Sequence, residues 1–322
     1  MILPSGHATD YLKQYRDGAI EQGLGIGCDL DNYLRWKRGQ INIVLGHDNV
    51  GKTDWKLWYN LALSTQHDIK HCLWLGENHP AQAVRKLIQM LAGKPFSELN
   101  HSEIRRFEMK IEYWFTFVDN KKLYTPKQLL DIFDSSNADS CLMDPFTGLD
   151  RGMNHTDNYQ FMNESRLFCN QTGKTLDIIT HPNTESGRTS MIYPQGHNWF
   201  GHLMPPMKAH IEGGKPFLNR VDDMIVIHRL TKHQDMRYFT MINVEKVKNN
   251  ETGGQQTLKD QPVMFEFNKG LGYKCGLDDP IKRTEGVKRV QSTMEFKPMN
   301  GFEQSDFDRK SSRMTEDGEP KY

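Results

Sequence analysis

The stretch INIVLGHDNVGKTDWKL, from Ile41 to Leu57, most constrains what this chain can fold into. A short apolar run enters Gly46, four residues follow, and Gly51, Lys52 and Thr53 open a segment of helical character. The pattern G-x-x-x-x-G-K-[ST] is met at every position, in the strand–loop–helix context that turns a pattern into a site. Backbone N–H groups of Gly46, His47, Asp48, Asn49, Val50 and Gly51 are expected to curl around a phosphate at the positive end of the helix. Lys52 is expected to reach the β- and γ-phosphates and Thr53 to ligate Mg²⁺, with Asp54 counted among the nucleotide-binding residues. The alternative is a glycine-rich turn that matches by chance.

Around this loop, short apolar runs alternate with helical segments: INIVL, HCLWLG, YWFTFVD, SCLMD, LDIITH, DMIVIHR and YFTMINVEKV. Helices are predicted at Asp54–Ser64, Pro80–Ala92, Ser102–Glu112, Pro126–Ser136 and Asp157–Gly173. Buried strands interleaved with helices predict an α/β fold with a mainly parallel central sheet. From Asp223 onward the strands come without long helices between them, which predicts an antiparallel extension at one edge. The expected division is an N-terminal helix (residues 9–22) with a linker through 38, an ATPase domain over 39–275, and a polar, disordered tail over 276–322 that docks through Met294 and Phe296. Residues 183–216, rich in Gly, Pro, Asn and His, form a long irregular excursion of the kind that carries function.

Composition removes several classes. The 322 residues hold 41 Lys plus Arg and 41 Asp plus Glu, so any nucleic-acid affinity must come from local charge. No apolar run approaches the roughly 18 residues of a membrane span. The N-terminus lacks the basic and apolar regions of a signal peptide. Five cysteines without CxxC spacing read as reduced thiols of a cytoplasmic protein, with no zinc site.

Three further strand ends carry polar residues suited to nucleotide chemistry. SCLMD ends in Asp144, placed to hold the magnesium shell; the alternative is an ordinary strand-ending aspartate. HCLWLGEN reaches Glu77, a candidate general base acting on water, or else a surface glutamate opening a helix. LDIITH ends in His181, which can donate to a γ-phosphate, although a lone histidine is more often structural.

In order, then, the chain presents a phosphate loop, a strand ending in Glu, a strand ending in Asp-Pro and a strand ending in Thr-His-Pro, followed by FLNRVDDMIVIHR and VEKVKNNETGG. This series resembles the RecA-like motor domain of hexameric replicative DNA helicases of the DnaB and Twinkle superfamily, especially phage-encoded members, over residues 24 to 273. The resemblance implies a RecA-like P-loop NTPase fold, with ATP and Mg²⁺ as cofactors. It implies that Glu77 is the catalytic base, Asp144 the magnesium-shell aspartate and His181 the γ-phosphate sensor. Lys246 and Lys248 match a Lys-x-Arg pair that reaches a neighbouring subunit's site. Lys248 stands where an arginine finger is expected, and lysine lacks the planar fork that bridges phosphate oxygens. Phe267 aligns with an aromatic that packs on the base, or is simply core.

The resemblance further implies channel-facing loops that meet single-stranded DNA. Arg151, Arg188, Arg229 and Lys232 are the candidates for sequence-independent phosphate contacts, or ordinary surface residues. The implied assembly is a homo-hexamer, working in the cytoplasm, of a phage-infected host if phage-borne. With no zinc or primase segment ahead of the motor, priming is expected from a separate primase or other replisome protein. Two other readings share the ATP site: a RecA/RadA-like recombinase or mediator, and a nucleotide-switch loader that binds a partner protein.

Overall fold

A computed structural model describes residues 2–19, 22–152, 154–258, 260–276 and 279–281. Among these, one sheet runs through β1 (Ile41–Leu45), β2 (His71–Leu75), β3 (Phe115–Phe117), β4 (Ser140–Asp144), β5 (Thr175–Thr180), β6 (Asp223–His228), β7 (Phe239–Lys246), β8 (Val263–Phe267) and β9 (Tyr273–Lys274). The spatial order is β3-β2-β4-β5-β1-β6-β7-β8-β9. Strands β3 to β6 in that order pair in parallel, and β7, β8 and β9 add on in antiparallel fashion. The parallel strands β2, β4, β5 and β6 are buried at every residue. Helices covering both faces leave no solvent side, which is why these strands read as unbroken apolar runs.

The helices are α1 (Thr9–Arg16), α2 (Lys52–His67), α3 (Pro80–Ala92), α4 (His101–Trp114), α5 (Pro126–Ser135), α6 (His155–Thr172) and α7 (Lys215–Arg220). Their starts are chemically marked. Asn100 with Glu103, and Thr125 with Gln128, form reciprocal capping boxes ahead of α4 and α5, and Pro126 occupies the first turn of α5. Gly93 and Gly173 end α3 and α6 in the left-handed region, where glycine carries no Cβ penalty.

Two hydrophobic layers sandwich the sheet. On one face α2 and α3 pack Trp55, Trp58 and Leu87 with Phe265 and Tyr273; on the other, α5, α6 and α7 pack Phe133, Phe146, Phe161 and Phe217. A buried ion pair crosses the first layer, Lys56 of α2 lying 2.8 Å from Asp177 of β5. Asn42 and Ser140 donate to the same carboxylate from β1 and β4, so the charge is fully hydrogen-bonded inside the fold.

Several boundaries differ from expectation. Helix α1 stops at Arg16 rather than Gln22, because Gly18 turns left-handed and its N–H caps back to Tyr15. Helix α2 starts at Lys52, since the phosphate-loop lysine and threonine already sit in its first turn. Residues 24–36, expected as linker, are part of the packed unit: Ile26 and Leu30 are fully buried against α2. At the other end Ile281 is buried beside Trp58 and Gly272, beyond the expected limit at 275. Met294 and Phe296, expected to dock the tail, lie outside the described residues. The 183–216 excursion holds three short 3-10 turns and then leads into α7. Among the described residues no helix is long and apolar enough to cross a membrane.

Candidate nucleotide site

The strand order places the end of β1 between β5 and β6, and the ends of β4 and β2 beyond β5. Parallel sheets bind ligands outside the carboxyl ends of their strands, and the expected residues gather there. Asn49 and Gly51 both take positive φ, 60° and 89°, which curls the loop back before α2. Gly46 is needed for a different reason: a Cβ there would lie 2.4 Å from the Ile227 carbonyl of the neighbouring strand. The first N–H groups of α2 therefore face the inside of the loop without an intrahelical partner.

Lys52 is buried and folds back on its own loop, donating to the carbonyls of Gly46 and His47 at 2.9 Å each. Burial lowers its affinity for a proton, opposed by the carboxylates of Asp48, Asp144 and Glu77. Thr53 donates its hydroxyl to Asp144 Oδ2 at 2.5 Å. Asp144 sits almost wholly inside the fold, and burial pushes its carboxyl up to about 6 despite the Thr53 bond and the charge of Lys52. A buried carboxylate beside a hydroxyl is a set of hard oxygen donors, and it fits Mg²⁺.

Glu77 follows Gly76 at the exposed end of β2. Two clamps hold this turn: Gly76 N–H donates to Asp144 O at 2.7 Å, and Asn120 Nδ2 donates to the carbonyls of Leu75 and Asn78. Glu77 adds to the negative potential that both Lys52 and Asp144 feel. His181 closes the other side. Its Nδ1 lies 2.7 Å from Asp48 Oδ1 and 3.4 Å from Lys52 Nζ. Nδ1 either carries a proton and donates to Asp48 or is bare and accepts from Lys52, and the shorter contact fits Nδ1–H donating to Asp48.

No protein-family model and no curated protein sequence matches this chain. Solved structures do. One, an ATPase domain, superposes with a TM-score of 0.64 at 11% identity, over 84% of this chain and 99% of that one. A DnaB-like replicative helicase, described together with its interactions with primase, gives the same score and identity over 84% of this chain and 68% of its own. This is the fold of a DnaB-like helicase ATPase domain.

On that DnaB-like fold the remaining expected residues fall into separate places. Asp54 is ion-paired with Lys86 of α3 at 2.6 Å. Phe267 lies under the Arg229 guanidinium at 5.2 Å and beside Tyr273 at 5.3 Å. The Tyr273 hydroxyl in turn lines the loop at Gly51, so an aromatic pair borders the phosphate loop. Arg229 thus stands with this pair instead of reaching outward on its loop. Arg151 is folded over the Phe146 ring at 4.0 Å and donates to Gly152 O and Asn158 Oδ1, which leaves little of it for a ligand. Arg188 is exposed and pairs with Glu185; Lys232 is exposed.

Lys246 and Lys248 lie at the opposite end of the sheet. Lys246 pairs in register with Met224, at the start of β6, three residues or about 10 Å of strand short of the Ile227 level where the phosphate loop begins. Its ammonium donates to the carbonyls of Leu218 and Val221 at the end of α7. Lys248 is 60% exposed and bonds Asp222 at 2.8 Å, a carboxylate shared with Arg166. Neither lysine can meet the phosphate loop of its own chain.

One contact went unread in the sequence. His47 Nε2 lies 3.1 Å from Ser186 Oγ, tying the phosphate loop to the excursion. The excursion is fastened again where Asn183 N–H donates to His210 O and Glu212 N–H to His181 O. Only the paired positions of two distant segments reveal this link.

Proposed function

We propose that this chain is the motor of an ATP-driven DNA helicase, acting as a homo-hexameric ring that translocates on single-stranded DNA. The observation that carries the reading is the convergence of Lys52, Thr53, Asp144, Glu77 and His181 around one loop. The lysine pair expected to assist catalysis stands at the far end of the sheet, where only a neighbouring copy's nucleotide can meet it. Support comes from the likeness to the solved ATPase domain and to the DnaB-like replicative helicase.

MgATP supplies the phosphoanhydride whose hydrolysis drives the ring. The chain's own residues bind and orient it. Lys52 would exchange its loop carbonyls for phosphate oxygens, and Thr53 and Asp144 would hold Mg²⁺. Glu77 takes the proton of the attacking water. His181, between Asp48 and Lys52, senses the terminal phosphate and passes its state through Pro182 and Asn183 to the excursion. Arg188 and Lys232 are the exposed cations proposed to meet DNA phosphates. Phe267 and Tyr273 border the base.

A ring needs complementary surfaces on each copy. Helix α1 buries none of its residues and exposes Tyr11, Leu12 and Tyr15 beside Lys13 and Arg16. A cavity of about 470 Å³ between α5 and α6 offers Leu130, Leu167 and Phe168 with Asp134 and Glu164, and with Asp131, which pairs with Lys127 in the same lining. Apolar surface and opposite charge match, and α1 of one copy is proposed to seat there on the next. Because the DnaB-like helicase is described with a primase, a separate primase is the proposed replisome partner.

The test is unwinding of a forked duplex with ATP and Mg²⁺, together with the mass of the assembly on single-stranded DNA. Lys52→Ala and Glu77→Gln are expected to abolish unwinding, and the native protein to run as a hexamer. Unwinding that survives either substitution would sink the assignment. Strand pairing without unwinding, on filaments, would place the chain with recombinases instead.

A further inference from the structure

The antiparallel edge of the sheet carries another cavity, on the face turned away from α2. Side chains alternate along β7: Ile242 and Val244 enter the core built on Trp55 and Trp58, whereas Met241 packs with Tyr193 and Leu230. Met241, Asn243 and Glu245 therefore share the second face, and there they line a cavity of about 280 Å³. Tyr193 and Trp199, edge to face at 5.3 Å, form an aromatic wall. Phe267 and Tyr273, which border the phosphate loop, pack on the α2 face, so this cavity is separate from the nucleotide site.

Its charge is of one sign. Glu245 enters from β7 and Asp260 from the segment before β8, and among the described residues no lysine or arginine lines the cavity. Neither carboxylate is ion-paired among the described residues. Lys208 is the cation that Glu245 feels, but it is exposed and stands outside the lining. Burial pushes the Glu245 carboxyl up, and burial with the nearby Asp260 carboxylate pushes up the Tyr193 phenol. Asp260 thus stands close to the aromatic wall. Asn243 is only 7% exposed. Its side chain makes no hydrogen bond among the described residues, and its Nδ2 is sealed from the surface. Oδ1 is therefore the atom that the amide offers to the cavity.

Two carboxylates and a carbonyl oxygen call for an occupant that donates and carries positive charge. The Tyr–Trp wall favours a flat cation. A guanidinium is planar, has five N–H donors, stacks on aromatic rings and sheds water more readily than an ammonium. The volume lies just below the ~300–1,000 Å³ of small-molecule sites and suits one long side chain. A free amino acid would bring its own carboxylate, for which the lining has no cation; inside a polypeptide that group is a neutral amide. The rim offers what a polypeptide needs beside an anchoring arginine. Leu258 on the lining, and Phe200 and Leu203 next to Trp199 and Met204 in the chain, are exposed apolar side chains.

We propose that this cavity receives an arginine side chain of another protein, its guanidinium donating to Glu245, Asp260 and Asn243 Oδ1 and its plane set against Trp199 and Tyr193. The residues flanking that arginine are apolar and rest on Leu258, Phe200 and Leu203. The site stands on β7 and the excursion and does not depend on the reading of the phosphate loop.

Fluorine NMR of the full chain labelled with 5-fluorotryptophan tests it. The six tryptophans give separate signals, and Trp199→Phe assigns the one at the cavity. The probe is an acetylated and amidated Leu-Arg-Phe peptide, expected to shift the Trp199 signal saturably. The same peptide with citrulline, which preserves shape but not charge, should bind at least about tenfold more weakly, the worth of one charge-assisted hydrogen bond. Glu245→Gln should cost as much and Asp260→Asn a smaller part, with folding checked by the other five signals. Agmatine supplies a free guanidinium and should bind more weakly than the peptide. A Trp199 signal that stays still overturns the proposal, as does one that answers the citrulline and arginine peptides equally. Agmatine binding as tightly as the peptide would take the site from polypeptides. A signal that moves on dilution of the protein alone would give it to a second copy, and either result overturns the docking of another protein.

Discussion

Replacing Asp144 with asparagine tests how the fold and the site trade against each other. The native carboxyl is buried beneath the phosphate loop, and that burial, reinforced by Glu77 and Asp54, carries it to about 6 from the ordinary 3.8. Between those two pH values the folded chain holds a proton that the unfolded chain has released. Stability therefore falls as pH rises across this window and stays lowered above it. Each tenfold difference in proton affinity is worth about 1.4 kcal/mol, so the ionised carboxylate costs the nucleotide-free fold about 3 kcal/mol at pH 8. Asparagine still accepts from Thr53 but carries no charge. The Asp144→Asn protein is expected to be more stable than native at pH 8 by up to that amount, about 5 °C for a folded unit of this size. The advantage should fade toward pH 4. Thermal and urea unfolding at both pH values, without nucleotide or metal, measure it. Added Mg²⁺ should raise the native midpoint and leave the variant's unchanged. A variant no more stable at pH 8, or equally favoured at both pH values, would refute the reasoning.

Other outcomes follow from particular contacts. Lys56→Ala leaves the Asp177 charge buried with only Asn42 and Ser140 as donors, and should cost about 3–5 kcal/mol in urea unfolding; Lys56→Met with Asp177→Leu should recover much of that. Gly46→Ala forces a methyl against the Ile227 carbonyl and should lower the thermal midpoint by the equivalent of about 1–3 kcal/mol, as overpacking does. Gly51→Ala meets only the Tyr273 hydroxyl but must adopt φ near 89°, at about 1–2 kcal/mol. Lys248→Ala subunits mixed with Lys52→Ala subunits should regain part of the ATPase rate, because each type retains what the other lacks. Mixtures no more active than either protein alone would count against action across subunits.

How much of this was legible beforehand differs from element to element. The strands were, because burial on both faces leaves a parallel strand no polar alternation, and HCLWL, SCLMD and LDIIT then stand out as runs. Helices α3 and α5 were legible nearly to the residue, since His79-Pro80 and Thr125-Pro126 mark their starts chemically. The end of α1 was missed where Gly18 outweighed a favourable charged pattern. The burial of Ile26 and Leu30 was missed because it depends on α2 lying across them. Within the site, Lys52 and Thr53 could be named from the glycine-bounded loop pattern, and Asp144 from its position at a strand end.

Side-chain partners were another matter. The Lys56–Asp177 pair spans two elements far apart in the chain, and no local pattern distinguishes these charges from surface ones. Arg151 looked free in sequence and is folded onto Phe146. Tyr273, unremarkable in its own stretch, borders the phosphate loop only because β9 is added at the edge of the sheet. The register of β7 on β6 is also what places Lys246 and Lys248 a strand's length from the loop they were expected to serve in a neighbour. The sequence by itself determined the conformation of the loop proposed to hold phosphate and the alternation of strands and helices, because backbone conformation and burial leave local signatures. Only the tertiary structure decided which side chains meet, since hydrogen bonds and ion pairs depend on distances between segments that sequence spacing does not contain.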